Sequence, residues 1–181
     1  KSNELLDGQP LHALVNNAGM SPKAQNRERL GCLNGEIDAW RDVLELNLFA
    51  PLKLTRGFAS ALAKGEGAVV NVTSIAGHKI HPFAGSAYSS SKAALSALTR
   101  EMANEFAALN VRVNAVAPGF IATDMTHVLP EEQKAALLTQ VPLGRLGEPA
   151  EIAAAAGFLA GDGAGYITGT TLHVNGGLYS A

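Results

Sequence analysis

Short apolar runs alternate along this chain with helical stretches, and each run stops abruptly at small or amide residues. Leu11-His12-Ala13-Leu14-Val15 ends in Asn16-Asn17-Ala18-Gly19. Residues 68–73 deliver Ser74 and the turn Ser74-Ile75-Ala76-Gly77. Residues 111–116 end in Ala117-Pro118-Gly119, and Thr171-Leu172-His173-Val174 in Asn175-Gly176-Gly177. Several of these runs are apolar on both sides, which is the pattern of a parallel sheet covered on both faces. Apolar spacings of three and four predict helices over 36–64 and 88–109. A shorter helix is expected over 130–140. Another over 148–160 opens with an early proline and acids in its first turn. Pro51 is expected to kink or divide the first helix. The fold class is therefore α/β, a doubly wound parallel sheet in one domain. In such sheets ligands sit outside the C-terminal ends of the strands, near which Asn17, Ser74, Tyr88 and Gly119 all fall.

Composition narrows the function. With 181 residues and 47% hydrophobic side chains the chain can fill one core. The net charge of −2 is scattered, and no basic face suggests a nucleic acid. Cys32 is the only cysteine, so a disulfide framework and a cysteine-rich metal site are ruled out, and a reducing, cytoplasmic setting fits. No apolar run approaches the ~20 residues of a membrane span. Residues 1–7 are polar, unlike a signal peptide. His12, His78, His81, His127 and His173 have no metal-ligand spacing. Ser74 lacks the G-x-S-x-G elbow of a hydrolase.

The residues that carry chemistry begin with Tyr88 and Lys92. Positions four apart share one face of a helix. A free phenol titrates near ~10 and is a poor acid or base at neutral pH. A cation within about 4–6 Å favours the phenolate and is expected to pull that value down. A tyrosine so tuned exchanges a proton with a carbonyl or alcohol oxygen. The plain alternative is a packed tyrosine and a solvated lysine. Asn16 to Gly19 reads either as an ordinary turn or as a strand end that a ligand approaches closely. Asn47, polar in an apolar stretch, either bridges neighbouring backbone or serves the site. Residues 120–147 form a long connection of the kind that makes a lid or binding loop. Met102, Met125 and the scattered aromatics are expected in core or lid.

These motifs, in their order and spacing, resemble the short-chain dehydrogenase/reductase family. The likeness rests on N-N-A-G at Asn16 to Gly19, on Asn47, on Ser74, on Y-x-x-x-K at Tyr88 to Lys92 and on Pro118-Gly119. It covers essentially the whole chain. Residues 117–125 and 166–177 look most like the 3-oxoacyl-[acyl-carrier-protein] reductases. The resemblance implies hydride transfer between NADP or NAD and a ketone or secondary alcohol, with a 3-oxoacyl thioester as one candidate. It implies Tyr88 as general acid and base, Lys92 as the cation that tunes it and holds the nicotinamide ribose, and Ser74 as the hydrogen-bond partner of the substrate oxygen. Asn47 would anchor a water linking Lys92 to solvent. Asn17, Ala18 and Gly19 would line the adenosine ribose side. Pro118, Gly119, Ile121 and Thr123 would frame the nicotinamide. The nicotinamide would supply the hydride, and the protein position and electrostatics.

The front of the chain departs from the family. No glycine-rich turn that would bind a pyrophosphate precedes Leu11. The chain therefore reads as the C-terminal part of a longer Rossmann-like domain, whose strand at 11–15 would otherwise expose an unpaired edge. The segment that sets NAD against NADP is absent. Residues 20–38 are longer and more polar than expected of an acyl-carrier-protein reductase. A non-catalytic binding or assembly protein on the same fold is the alternative function. The helices over 40–62 and 88–109 are apolar beyond one stripe, with Ser91, Ala94, Leu95, Leu98, Met102 and Phe106 on several faces. With the resemblance, this implies a homotetramer, or at least a homodimer through the long helices.

Overall fold

The computed structural model describes residues 6, 8–24, 28–123 and 131–180. Four parallel strands form one sheet in chain order: β1 Ala13–Asn16, β2 Ala68–Val72, β3 Arg112–Pro118 and β4 Thr171–Val174. Val15 lies beside Val70, Val70 beside Asn114, and Val116 beside Leu172. Because the strands are parallel, all their C-terminal ends meet at one edge.

Successive side chains of a strand point to opposite faces, so Val69 and Val70 report on the two sides of the sheet. Val69 packs with Leu62, Met102, Ala103, Phe106, Val111 and Val113. Val70 packs with Val116, Ala156, Leu159 and Ala164. Leu62, Met102, Ala103 and Phe106 come from helices α3 (Ala59–Lys64) and α4 (Ser86–Phe106), and Ala156, Leu159 and Ala164 from α6 (Pro149–Ala160) and the turn after it. The sheet is thus covered on both faces, as the apolar runs predicted. Arg112 ties β3 to α6, its guanidinium donating to the carbonyls of Leu159 at 2.7 Å and Gly161 at 3.2 Å. A cation on the last carbonyls of a helix satisfies acceptors that have no partner within the helix.

The stretch 36–64 is divided, but not by Pro51. It runs as α1 Ile37–Leu44, a π-helical segment Glu45–Phe49, α2 Ala50–Gly57 and α3. Pro51 sits in the first turn of α2, where a missing N–H costs nothing. The break falls at Phe58, with φ −101° and ψ 6°. The strand expected over 11–15 begins and ends later, because Asn16 continues it. The Asn16 amide donates to Asn71 Oδ1 at 2.8 Å and Thr55 Oγ1 at 3.3 Å, and Asn71 donates to Thr99 Oγ1 at 3.0 Å. A buried amide with such partners belongs inside, which an apolar run does not signal. β3 likewise extends through Pro118. The helix expected over 88–109 begins at Ser86 and passes into a 3-10 turn at Ala107, with Asn110 in the left-handed region at φ 56°.

Within 120–147, α5 spans Glu131–Leu138. The expected start at Pro130, with Met125 and His127, lies outside the described residues. Phe120, Leu137 and Val141 pack with Ile75 and Leu178, closing this connection over the end of β2. Of the α4 side chains named on its several apolar faces, Ser91, Leu95, Met102 and Phe106 are buried within the chain. The small polar ones bond their own helix, Thr99 Oγ1 donating to the Leu95 carbonyl at 2.8 Å. Of the small residues of α4, Ala87, Ser91, Ser96, Thr99 and Ala103 are buried, and Ser90, Ala93 and Ala97 stay exposed. Large apolar side chains that stay exposed include Ile37, Phe49 and Leu54 on one side, and Phe158 and Tyr166 in and after α6.

Candidate active site

The edge where the strands end carries the predicted residues. Asn17, Ala18 and Gly19 follow β1 and are exposed. Ser74 follows β2 in extended backbone, 8% exposed, its Oγ accepting from the Ala76 N–H at 3.1 Å. It opens the one-turn 3-10 helix Ile75–Gly77, which presses against α4. A Cβ on Gly77 would lie 2.7 Å from the Ala93 nitrogen. Only glycine permits this approach, and it brings Ser74 to the helix at the turn that bears Tyr88 and Lys92.

Tyr88 and Lys92 do share a face. The Lys92 ammonium lies 5.7 Å from the centre of the Tyr88 ring. It is 3% exposed and donates to the Val72 carbonyl oxygen at 2.7 Å. The Ser74 hydroxyl stands close enough to the Tyr88 phenol to favour its ionised form. Asn47, in the π-helical segment, is fully buried and bridges backbone. Its Oδ1 accepts from the Met20 N–H at 2.8 Å, and its Nδ2 donates to the Met20 carbonyl and to Ser91 Oγ, both at 3.0 Å. Ser91 Oγ donates in turn to the Tyr88 carbonyl at 2.7 Å. Both Nδ2 hydrogens are committed, so the carboxamide keeps only acceptor capacity for a water. Gly19 closes the ring. A Cβ there would lie 3.3 Å from Asn47 Oδ1 and 3.4 Å from Lys92 Nζ. Asn47, Ser74, Tyr88, Lys92 and Gly19 therefore form one connected cluster.

The electrostatics differ from the expectation in sign. Burial pushes the Tyr88 phenol above its ordinary value, and the nearby Ser74 hydroxyl opposes this as the lesser influence. Burial likewise pulls Lys92 down to about 8. Desolvation disfavours the charged form of each group. The phenol is thus held protonated, as a proton donor requires.

Around Pro118 the residues turn elsewhere. Gly119 N–H donates to the Val174 carbonyl at 2.9 Å, and a Cβ on Gly119 would lie 2.7 Å from the Asn175 Cα. The glycine serves close packing of β3's end on β4's. Ile121 lines a cavity of about 270 Å³ with Phe120, Arg145, His173 and Asn175, which none of the four catalytic candidates lines. Thr123 is half-buried. Sequence reasoning missed Ser91 and Met20 as the partners of Asn47. Ser91, one residue before Lys92, was visible only as a small residue. Among the described residues no group of three or more His, Cys, Asp or Glu side chains is placed to hold a metal ion.

Residues 6–179 match the family described as Enoyl-(Acyl carrier protein) reductase. A crystal structure of an oxidoreductase of the short chain dehydrogenase/reductase family from Brucella ovis, in complex with a partially ordered NAD, superposes with a TM-score of 0.78 at 43% identity. The match covers 96% of this chain and 70% of that one. This chain belongs to the short-chain dehydrogenase/reductase family. Protein FixR of Bradyrhizobium diazoefficiens is 50% identical over 95% of this chain and 61% of its own length. The 3-oxoacyl-[acyl-carrier-protein] reductase FabG of Haemophilus influenzae is 46% identical over 92% of this chain and 66% of its own. The chain thus spans about two thirds of the length of the short-chain dehydrogenase/reductase relatives it matches. Among the described residues no helix is long and apolar enough to cross a membrane.

Proposed function

We propose that the protein containing this chain is an NAD(P)-dependent oxidoreductase acting on a ketone or secondary alcohol, with a 3-oxoacyl thioester as the first candidate substrate. The observation that carries this is the buried Lys92 ammonium 5.7 Å from the Tyr88 ring, with Ser74 at the strand end beside them. A phenol held protonated, with a cation at its ring and a serine hydroxyl nearby, is a proton donor for a carbonyl oxygen. In the reductive direction Tyr88 Oη–H gives its proton to that oxygen, and Ser74 Oγ–H orients the carbonyl. Ser74 and the Lys92 ammonium then stabilise the phenolate left behind. In the oxidative direction the phenolate takes the alcohol proton.

A nicotinamide dinucleotide fits these residues. Asn17 to Gly19 offer exposed backbone, and the missing side chain of Gly19 leaves Lys92 Nζ approachable. Asn17, Ala18 and Gly19 would hold the adenosine ribose side, Lys92 the nicotinamide ribose, and Pro118, Gly119, Ile121 and Thr123 the nicotinamide. When bound, the cofactor supplies or accepts the hydride. Asn47 would orient a water toward Lys92 through its remaining acceptor capacity. The exposed edge of β1, where Val15 is 47% accessible, supports the reading that a further strand of a longer Rossmann-like domain pairs there. Homotetramer assembly and a cytoplasmic setting complete the reading.

The test is nicotinamide absorbance with the full-length protein, NADH or NADPH, and β-ketoester or 3-oxoacyl thioester substrates. Turnover with either cofactor is expected. A folded protein without turnover would favour the second reading, a non-catalytic binding or assembly role. That reading draws on the 50% identity to Protein FixR, whose name states no activity.

A further inference from the structure

At one side of the site three cations are built into the backbone. Lys23 and Arg29 face each other across an antiparallel bridge, reinforced by the Ala24 N–H on the Glu28 carbonyl at 3.0 Å. Side chains directly opposite in such a pair point to the same face, and like charges there are destabilising. Here the pair is held by carbonyls. Lys23 Nζ donates to Phe83 O at 2.7 Å and Arg29 Nε to Ala84 O at 2.6 Å. Those carbonyls lie on the loop that leads into α4 and Tyr88, and the Ser86 N–H on the Leu30 carbonyl at 2.8 Å completes the stitch. Lys79 anchors to the Leu178 carbonyl at 3.3 Å.

Burial first, and then all three cations, disfavour the charged form of one group, His81. Its Nδ1 accepts from the Phe83 and Ala84 N–H groups at 3.2 and 2.9 Å, so the neutral ring carries its proton on Nε2. The ring packs on Phe120 at 5.1 Å, which links this loop to the turn after β3. Lys23 and Arg29 are exposed and Lys79 is half-buried. Arg29 binds the loop through Nε alone, so the two terminal nitrogens of its fork make no described bond. Guanidinium forks match oxyanions.

We propose that the substrate carries an oxyanion away from its reacting carbonyl, and that Lys23, Arg29 and Lys79 are its receptor. This rests on the oxidoreductase reading above. The oxyanion is a carboxylate or a phosphate, and Arg29 is the residue that sets the preference.

The experiment pairs substrates that share one reacting carbonyl and differ in a distant charge, with the full-length protein. One pair is a 3-oxo ester ending in a free carboxylate and its methyl-capped form. The other is a 3-oxoacyl phosphopantetheine thioester and its pantetheine counterpart. The charged member of at least one pair should have a kcat/KM tenfold or more above its neutral partner. That ratio should shrink toward one as salt rises. Which pair responds identifies the anion. Arg29→Gln should collapse the ratio to within twofold of one, Lys79→Gln should reduce it, and Arg29→Lys should restore part of it. Equal kcat/KM within both pairs, or a ratio that Arg29→Gln leaves intact, would overturn the proposal. If no ketone is turned over, the oxidoreductase reading fails, and calorimetry with the same pairs still decides. Tenfold tighter binding of a charged member, lost in Arg29→Gln, supports the receptor. Equal binding rejects it.

Discussion

The Lys92 ammonium donates to the carbonyl oxygen of Val72 at 2.7 Å. Val72 is the last residue of β2, and Ser74 follows two positions later. One side chain thereby ties helix α4 to the strand end that carries its neighbour in the site. The distance between Ser74 and Tyr88 depends on this bond as well as on the contact of Gly77 with α4.

Tyr88→Phe keeps the ring and removes the proton donor. Turnover should fall below a tenth of wild type in the full-length protein, a loss of at least about 1.4 kcal/mol in transition-state stabilisation. Cofactor affinity, read by fluorescence titration, should stay within a few-fold. Activity above a tenth would remove Tyr88 from the proposed mechanism.

Lys92→Met should impair both rate and cofactor affinity, yet raise thermal stability. Burial holds the folded pKa at about 8, below the ordinary 10.5. The unfolded chain therefore binds more protons between these values, and wild-type stability rises with pH across that window. Below pH 8 the buried charge costs about 3 kcal/mol, since each unit is ~1.4 kcal/mol. The lost bond to Val72 returns about 1 kcal/mol of this. Scanning calorimetry should show a higher Tm for the variant at pH 7, with the gap closing by pH 10. A variant less stable than wild type at pH 7 would contradict this.

Acid should loosen the loop before α4. Burial first, then Lys23, Arg29 and Lys79, hold His81 at about 4 against an ordinary 6.5. Its folded pKa is depressed, so its contribution is complete above pH 6.5 and is lost as pH falls toward 4. Protonated Nδ1 could no longer accept from Phe83 and Ala84. Burial also lowers His78 and His173, whose rings meet at 4.8 Å, so they act in the same direction. The Tm should therefore fall between pH 6.5 and 4. His81→Asn keeps an acceptor without the titration and should flatten the slope. An identical slope would assign the effect to other groups.

Gly77→Ala tests the approach of the 3-10 turn to α4. The added carbon would meet backbone at 2.7 and 2.8 Å, which cannot rotate away. Overpacking of this kind costs about 1–3 kcal/mol. Urea denaturation should show that loss, and kcat should fall because Ser74 moves from Tyr88. Full activity at wild-type stability would show that the turn has room.

Assembly is tested on the exposed apolar side chains. Phe49 is 43% and Leu54 44% accessible on the α1–α2 side, and Phe158 49% on α6. Light scattering of the full-length protein should give a tetramer mass. Phe49→Glu should reduce it to a dimer or monomer, and Phe158→Glu likewise through the other surface. A monomer mass for wild type at micromolar concentration would refute the assembly.

Sequence alone determined the order of strands and helices, the sheet covered on both faces, and the edge to which Asn17, Ser74 and Tyr88 belong. Hydrophobic period and turn residues are local properties, and a parallel sheet converts them directly into placement. The Tyr88 and Lys92 pairing was equally legible, because helical spacing alone sets it. Tertiary structure decided what depends on neighbours distant in the chain. Asn16 extends its strand because Asn71 and Thr55 satisfy its amide. Asn47 grips Met20 and Ser91, at sequence separations of 27 and 44. Desolvation raises Tyr88, because burial is a sum over every atom packed around the phenol and no spacing rule contains it. Ser91, Leu95 and Met102 face inward for the same reason: helical period says which residues share a face, and only packing says what covers it.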